Sequence, residues 1–316
     1  MQTLSGLAQG TTWHVTVWRQ GGVDIASLRR RINTEFERLD GLLSNYRDDS
    51  VIEQFNAAAV TAPIAVGEEI VRLIEAARAV SEASAGCYDL TVKPLFDLWG
   101  FTGESLTVPD PAVLARTRER VGFRHLVVLP PDKLRKVLPG LRVDLSSIAQ
   151  GYSVGRIAML LEAAGIVDYI VEIGGELQTR GRKPDGGHWR IGVERPLPGE
   201  RSVEKALTIK REAQLAIMTS GTYRHYYDAQ GRRYSHVLDA RTGRPITHDT
   251  VSVTVLDDDP TRADAWSTAL LCLGHAAGLR AADQAGIAAL FIADENGRLW
   301  EHVSTAWSAL QDVEVQ

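Results

Sequence analysis

Hydrophobic and polar positions along this chain change period several times, and the changes mark its elements. Thr12-Trp13-His14-Val15-Thr16-Val17-Trp18 alternates with period two and is rich in β-branched and aromatic residues, which predicts a strand. From Ala26 to Asn45 the apolar positions are Leu28, Ile32, Phe36, Leu39 and Leu43. Steps of three and four put them on one stripe of an amphipathic helix. Residues 68–85 repeat that pattern through Ile70, Leu73, Ile74 and Ala77. A short helix is predicted over Pro109–Val121 and a strand over His125–Leu129. A longer helix is predicted from about Ile148 to Ala164, with Gly165 at its C′ position. Strands follow at 168–173, 189–194, 205–210, 214–218, 232–238 and 251–256, then a helix over roughly 261–283 and a last strand at Ala288–Ala293. Many sequential strands between few helices predict an α+β fold with mixed or antiparallel sheets and packed helices.

The last long helix carries the first chemical signal. Asp257 to Asp259 and Pro260 form a helix start, with acids before the first turn and proline at its first position. Asp264 and Thr268 stand four apart, so their oxygens share a face, expected at a solvent-accessible site. A carboxylate and a hydroxyl are hard donors that suit Mg²⁺. The spacing alone equally describes a surface acid and a hydroxyl bonded back to its own helix.

Composition removes some classes. The 316 residues are 44% hydrophobic and 24% charged, in the globular range, with no compositional break at a linker. A net charge of −5 offers no electrostatic footprint for nucleic acid. No apolar run reaches the length needed to cross a membrane. The first twelve residues lack the basic-then-apolar order of an export signal, which leaves a cytoplasmic chain or one read after removal of a signal. Cys87 and Cys272 have no zinc-type spacing, and two cysteines by themselves leave a disulfide open.

Several motifs then fall in series: Gly10-Thr11-Thr12; Leu43-Ser44-Asn45-Tyr46-Arg47-Asp48-Asp49-Ser50 with Asn56; Gly86-Cys87-Tyr88-Asp89-Leu90-Thr91; and Leu98-Trp99-Gly100-Phe101. Asp144-Leu145-Ser146-Ser147-Ile148-Ala149-Gln150-Gly151-Tyr152, Ile173-Gly174-Gly175-Glu176 and Thr219-Ser220-Gly221 come next. Ser235-His236-Val237-Leu238-Asp239, Arg241-Thr242-Gly243-Arg244-Pro245 and the Asp264/Thr268 helix complete the set. In this order the chain closely resembles the ApbE family of FAD:protein FMN transferases, over roughly residues 8–300 within a single domain spanning 1–316.

That resemblance implies a T-fold-like α+β architecture. It also implies a magnesium-dependent reaction in which FMN passes from FAD to a threonine or serine hydroxyl of an acceptor flavoprotein, through a phosphoester bond, with release of AMP. By resemblance, Mg²⁺ is held by Asp264 and Thr268, with Ser267 nearby and the backbone carbonyl of Ala149 as a further ligand. His236 is the implied catalytic base, since an imidazole titrates near neutrality and can accept the hydroxyl proton. Asp239 could orient that ring or cap the turn at 241–245. For the flavin nucleotide the resemblance implies Gln9, Tyr46, Cys87, Tyr88, Asp89, Ser146, Tyr152 and Leu238. Tyr46 would stack on a planar base, Ser146 and Tyr152 would line the channel, and Leu238 would press on the ring system. Trp99, among Leu95, Leu98 and Phe101, is expected to be packing.

The implied partners are FAD and an acceptor subunit of an electron-transfer complex carrying an Asp-x-x-Ser/Thr-x-Ala-Thr type sequence. The implied compartment is the periplasm or cell envelope, which leaves open a peripheral membrane association of the exported form. Three positions depart from the family pattern: Gln9 stands where methionine is common, Gln150 replaces a lysine, and Gly155 replaces an acid. Loss of the lysine charge puts nucleotide affinity in question, with Arg156 the nearest replacement. Two other readings share the same residues. One is a pyrophosphatase releasing FMN and AMP to water; the other is a non-catalytic FAD-binding maturation factor.

Overall fold

In a computed structural model of the chain, described for residues 1–18, 24–101, 103, 106–197, 199, 202–223, 226–229 and 232–316, one eight-stranded antiparallel sheet organises the molecule. Its strands run in the order Gln2–Ala8, Thr11–Val17, Tyr169–Ile173, Glu176–Arg180, Leu215–Gly221, Thr250–Asp257, Ala288–Glu295 and Arg298–Val303. Every neighbouring pair is antiparallel. The helices are α1 (Ile25–Leu43), α2 (Val51–Ala57), α3 (Glu68–Ala83), α4 (Lys93–Trp99), α5 (Pro111–Arg118), α6 (Ser146–Ala163), α7 (Pro260–Ala285) and α8 (Thr305–Ser308).

The side-chain period of a strand decides which layer each residue joins. Ala289 and Phe291 enter the core shared with α1, α3, α6 and α7, whereas Ala288, Leu290 and Ile292 enter a second core on the opposite face. That second face is covered by a three-stranded sheet built from Trp189–Glu194, Val203–Ile209 and Val313–Val315. Burial on both faces is why 288–292 reads as an unbroken apolar run. In α1 the buried residues are Leu28, Ile32, Phe36, Leu39 and Leu43, the same five that define its stripe in the sequence.

A third, smaller core gathers Leu95, Trp99, Leu114, Val121, Leu238 and Ala240. Trp99 is packed as expected and also donates from Nε1 to the carbonyl of Gly243 at 2.8 Å. Replacing Trp99 with Phe keeps most of the apolar contact but leaves that buried carbonyl without its donor. The expected result is a stability loss of roughly 1–3 kcal/mol with turnover nearly unchanged, checked by denaturant unfolding beside an activity assay.

Two sequence expectations are corrected. The strand predicted over 232–238 is two short pieces, Arg232–Ser235 and Leu238–Asp239, because the chain bends at His236. The helix predicted over 261–283 is interrupted: Gly274 has φ +71°, so α7 kinks there. Beyond the kink, Gly278 lies against the Phe291 ring of the strand Ala288–Glu295, where a Cβ would stand 2.6 Å from Cε1.

Candidate active site

A cleft of about 910 Å³ opens among the N-terminus of α6, the first half of α7, the loops 44–47, 86–89 and 236–238, and the strand Trp189–Glu194, within the range of roughly 300–1,000 Å³ usual for ligand sites. Its floor is set by the contact between α6 and α7. Gly151 lies against α7 so closely that a Cβ would stand 2.3 Å from the Pro260 carbonyl and 2.6 Å from Asp264 Cβ. Only glycine permits this approach, and it delivers the Gly151 N–H to the Asp264 carboxylate at 2.8 Å. Gly155, one turn further on, also faces Pro260, with a built Cβ 2.9 Å from its Cγ. An acid at 155 therefore has no room against this α7 start.

Asp264 is only 4% exposed, which corrects the expectation of a solvent-accessible site. Burial pushes its carboxyl up to about 7, opposed by the single backbone hydrogen bond from Gly151. An unfolded aspartate titrates near ~3.9, so between about pH 4 and 7 the folded, metal-free state holds the extra proton and stability falls as pH rises. Thermal melts without metal should show this slope, and Asp264→Asn should flatten it.

Thr268 is one turn beyond and also lines the cleft. Ser220, at the end of the strand Leu215–Gly221, lies 3.0 Å from the Thr268 hydroxyl and 2.8 Å from that of Ser267. Ser267 itself is fully buried, and its hydroxyl donates to the Asp264 carbonyl at 2.8 Å, so it props the helix face and does not reach the cleft. Ala149 lines the cleft within α6, and its carbonyl accepts from the Ser153 hydroxyl at 2.8 Å. Ser153 in turn accepts from Gln9 Nε2 at 2.9 Å, leaving the buried Gln9 Oε1 with no partner among the described residues. Ser220 had no role assigned from sequence; its signal was the Thr-Ser-Gly motif at a strand end.

Among the described residues, the lining contains the carboxylates of Asp40, Asp89, Asp144, Glu176, Glu194 and Asp264 against one guanidinium, that of Arg47. Arg47 is already paired with Asp40 and Asp49. Arg156 supplies no replacement for the missing lysine, because its Nε is paired with Glu35 at 2.9 Å outside the cleft. A diphosphate among these carboxylates would be favoured by an accompanying cation. The oxygen donors at Asp264 and Thr268, with the carboxylate short of partners, fit a hard divalent ion of the Mg²⁺ type.

Other residues expected at the nucleotide divide into two groups. Tyr46, Tyr88, Ser146 and Leu238 line the cleft, as does His236. Tyr46 is 85% exposed at the lip, an aromatic ring with its face available for stacking. Tyr88 is buried, which raises its phenol, and its oxygen accepts from Ser147 at 3.3 Å. Tyr152 is the exception. It does not line the cleft, because α6 turns it toward α3, where its hydroxyl donates to Glu69.

Asp89 does line the cleft, but its carboxylate is held within the protein, accepting from the backbone N–H and hydroxyl of Thr91 and the N–H of Phe123 at 2.7–2.9 Å. Asp239 is a turn former: one carboxylate oxygen accepts the Arg241 N–H at 2.9 Å, and the pair bonds the Arg241 guanidinium. These bonds are those of the turn-capping role read from the sequence. Cys87 and Cys272, both on the wall, form a disulfide with Cα atoms 6.0 Å apart.

An α+β scaffold thus carries a nucleotide-sized cleft with acidic walls, a carboxylate and a hydroxyl paired on one helix face, and a histidine in its lining. The comparisons with known proteins narrow this. The ApbE family model matches residues 9–291, and the chain belongs to that family. It is 37% identical over 299 residues to the FAD:protein FMN transferase of Salmonella typhimurium, covering 93% of this chain and 85% of that protein. It is 37% identical over 307 residues to the FAD:protein FMN transferase of Vibrio cholerae, covering 96% and 91%. Among solved structures, the flavin transferase ApbE from Vibrio cholerae superposes with a TM-score of 0.88 at 36% identity, covering 97% and 98% of the two chains. The apo flavinyl transferase ApbE of Pseudomonas stutzeri gives 0.88 at 36% identity, covering 98% and 96%.

Proposed function

We propose that this chain transfers FMN from FAD to a serine or threonine hydroxyl of an acceptor flavoprotein. In that reaction the hydroxyl oxygen bonds to the FMN phosphorus, the bond to the AMP phosphate breaks, and AMP leaves. The observation that carries the reading is the buried, under-partnered Asp264 carboxylate beside the Thr268 hydroxyl, at the floor of a nucleotide-sized and otherwise acidic cleft.

Asp264 and Thr268 would hold Mg²⁺, with the Ala149 carbonyl nearby. When bound, the ion supplies charge neutralisation of the diphosphate and of the departing phosphate. The remaining work falls to the chain. His236, at the bend before Leu238, accepts the hydroxyl proton. Tyr46 stacks on a planar ring, Leu238 presents an apolar wall, and Gln9 offers its unpartnered amide oxygen to the nucleotide. The acceptor is a subunit of an electron-transfer complex working outside the cytoplasmic membrane. The Cys87–Cys272 disulfide supports an oxidising compartment.

The test is a mass spectrum of an acceptor domain bearing the Asp-x-x-Ser/Thr-x-Ala-Thr sequence after incubation with the protein, FAD and Mg²⁺, beside an EDTA control. A magnesium-dependent gain of one FMN is expected. AMP without an adduct would shift the reading to hydrolysis. Neither product, with FAD bound, would leave a flavin-binding protein.

A further inference from the structure

The disulfide joins two parts of the cleft that are 185 residues apart in sequence. Cys272 follows Asp264 and Thr268 at steps of four, so all three stand on one face of the first half of α7. That half ends two residues later, at the Gly274 kink. Cys87 directly precedes Tyr88 and Asp89, and its carbonyl accepts from Ala240 N–H at 3.1 Å, tying it to the segment that follows His236. One covalent bond therefore fixes the metal-binding face of α7 against the flavin loop. Cys87 is 0% and Cys272 4% exposed, and the exposed route to both is the cleft they line. The Asp239 carboxylate lies within 4.8 Å of both sulfurs and is neutralised by the Arg241 guanidinium, so it opposes an attacking thiolate only weakly.

We propose that the Cys87–Cys272 disulfide is a thiol–disulfide exchange site for a dithiol reductant, entered through the nucleotide cleft, and that its opening switches the enzyme down by releasing α7. A thiolate of the dithiol attacks the Cys272 sulfur and expels the Cys87 thiolate. The second thiol of the reductant then closes its own disulfide and expels the Cys272 thiolate. The protein gains two electrons and two protons, and the dithiol loses the same. Bound FAD blocks the route, so a loaded enzyme stays oxidised. The effect on turnover rests on the transferase reading; the access route does not.

The experiment treats the full chain with dithiothreitol, with and without saturating FAD, and traps thiols with iodoacetamide for mass analysis. Both cysteines are expected to alkylate together, at least about tenfold more slowly when FAD is bound, and the reduced protein is expected to transfer at least about tenfold more slowly and to recover on reoxidation. Equal alkylation rates with and without bound FAD would overturn the route. Full activity in the doubly alkylated protein would overturn the switch. The C87A/C272A double variant should match the reduced protein and ignore dithiothreitol; activity at the oxidised level would also overturn the switch. Loss of a cooperative thermal melt on reduction would make the bond a staple of the whole fold and overturn the proposal. Failure of the transferase reading shows earlier, as no transfer by the oxidised protein, and FAD protection of the thiols then decides the site alone.

Discussion

Replacing Asp264 with Ala should lower magnesium-dependent FMN transfer at least about 10³-fold, the equivalent of roughly 4 kcal/mol of transition-state stabilisation. The argument is electrostatic. Asp264 is buried, has one backbone donor, and sits among five other lining carboxylates, so it is the group that a cation would satisfy best. Without it, a diphosphate in this cleft faces unneutralised acids. The fold should persist, because the lost partner is a single N–H of Gly151 and a buried charge is removed with it. Asp264→Asn isolates the charge: it keeps an acceptor for Gly151 and should raise the metal-free melting temperature at pH 8 while still abolishing the magnesium response. Normal turnover in Asp264→Ala, measured as FMN added to the acceptor across a magnesium titration, would show the metal assignment to be wrong.

His236→Ala should lower transfer by about 10²–10⁴, the usual contribution of a positioned general base, while FAD affinity changes only a few-fold. The ring is carried at the bend between Arg232–Ser235 and Leu238–Asp239, where backbone pairing stops and the side chain faces the cleft. The neighbouring backbone is held independently: Val237 N–H bonds to Ser235 Oγ at 3.0 Å, and Ile246 N–H bonds to the Val237 carbonyl at 3.1 Å. Removing the imidazole should therefore leave the loop in place. Rate and FAD binding, the latter by flavin fluorescence, separate the alternatives. Loss of binding together with rate would assign His236 a structural role.

The long helices and five of the eight strands of the main sheet were legible from residue pattern, whereas Gln2–Ala8, Glu176–Arg180 and Arg298–Val303 were not. The five-residue stripe of α1 and the alternation of Thr12–Val17 needed no tertiary information. The same reading erred where two helical or extended pieces adjoin without a change of period, at Gly274 and at His236. There a single φ or a short bend decides, and composition carries no trace of it. The site was legible as a set of motifs but not as roles. Ser267 and Thr268 are adjacent and chemically alike, yet one bonds back into its own helix and the other faces the cleft. Tyr152 and Ser146 lie in one helix, but its rotation sends the tyrosine to Glu69.

The sequence by itself determined the α+β class and the helix faces, since these depend on residue types at short, regular spacings, and its motifs in series carried the resemblance to the ApbE family. Only the tertiary structure decided that Asp264 is buried, that Gly151 and Gly155 are required by the approach of α6 to α7, that Arg156 is diverted to Glu35, and that Cys87 meets Cys272. Each of these is a contact between residues a hundred or more positions apart. Such contacts are set by how whole layers pack, and no local pattern records them.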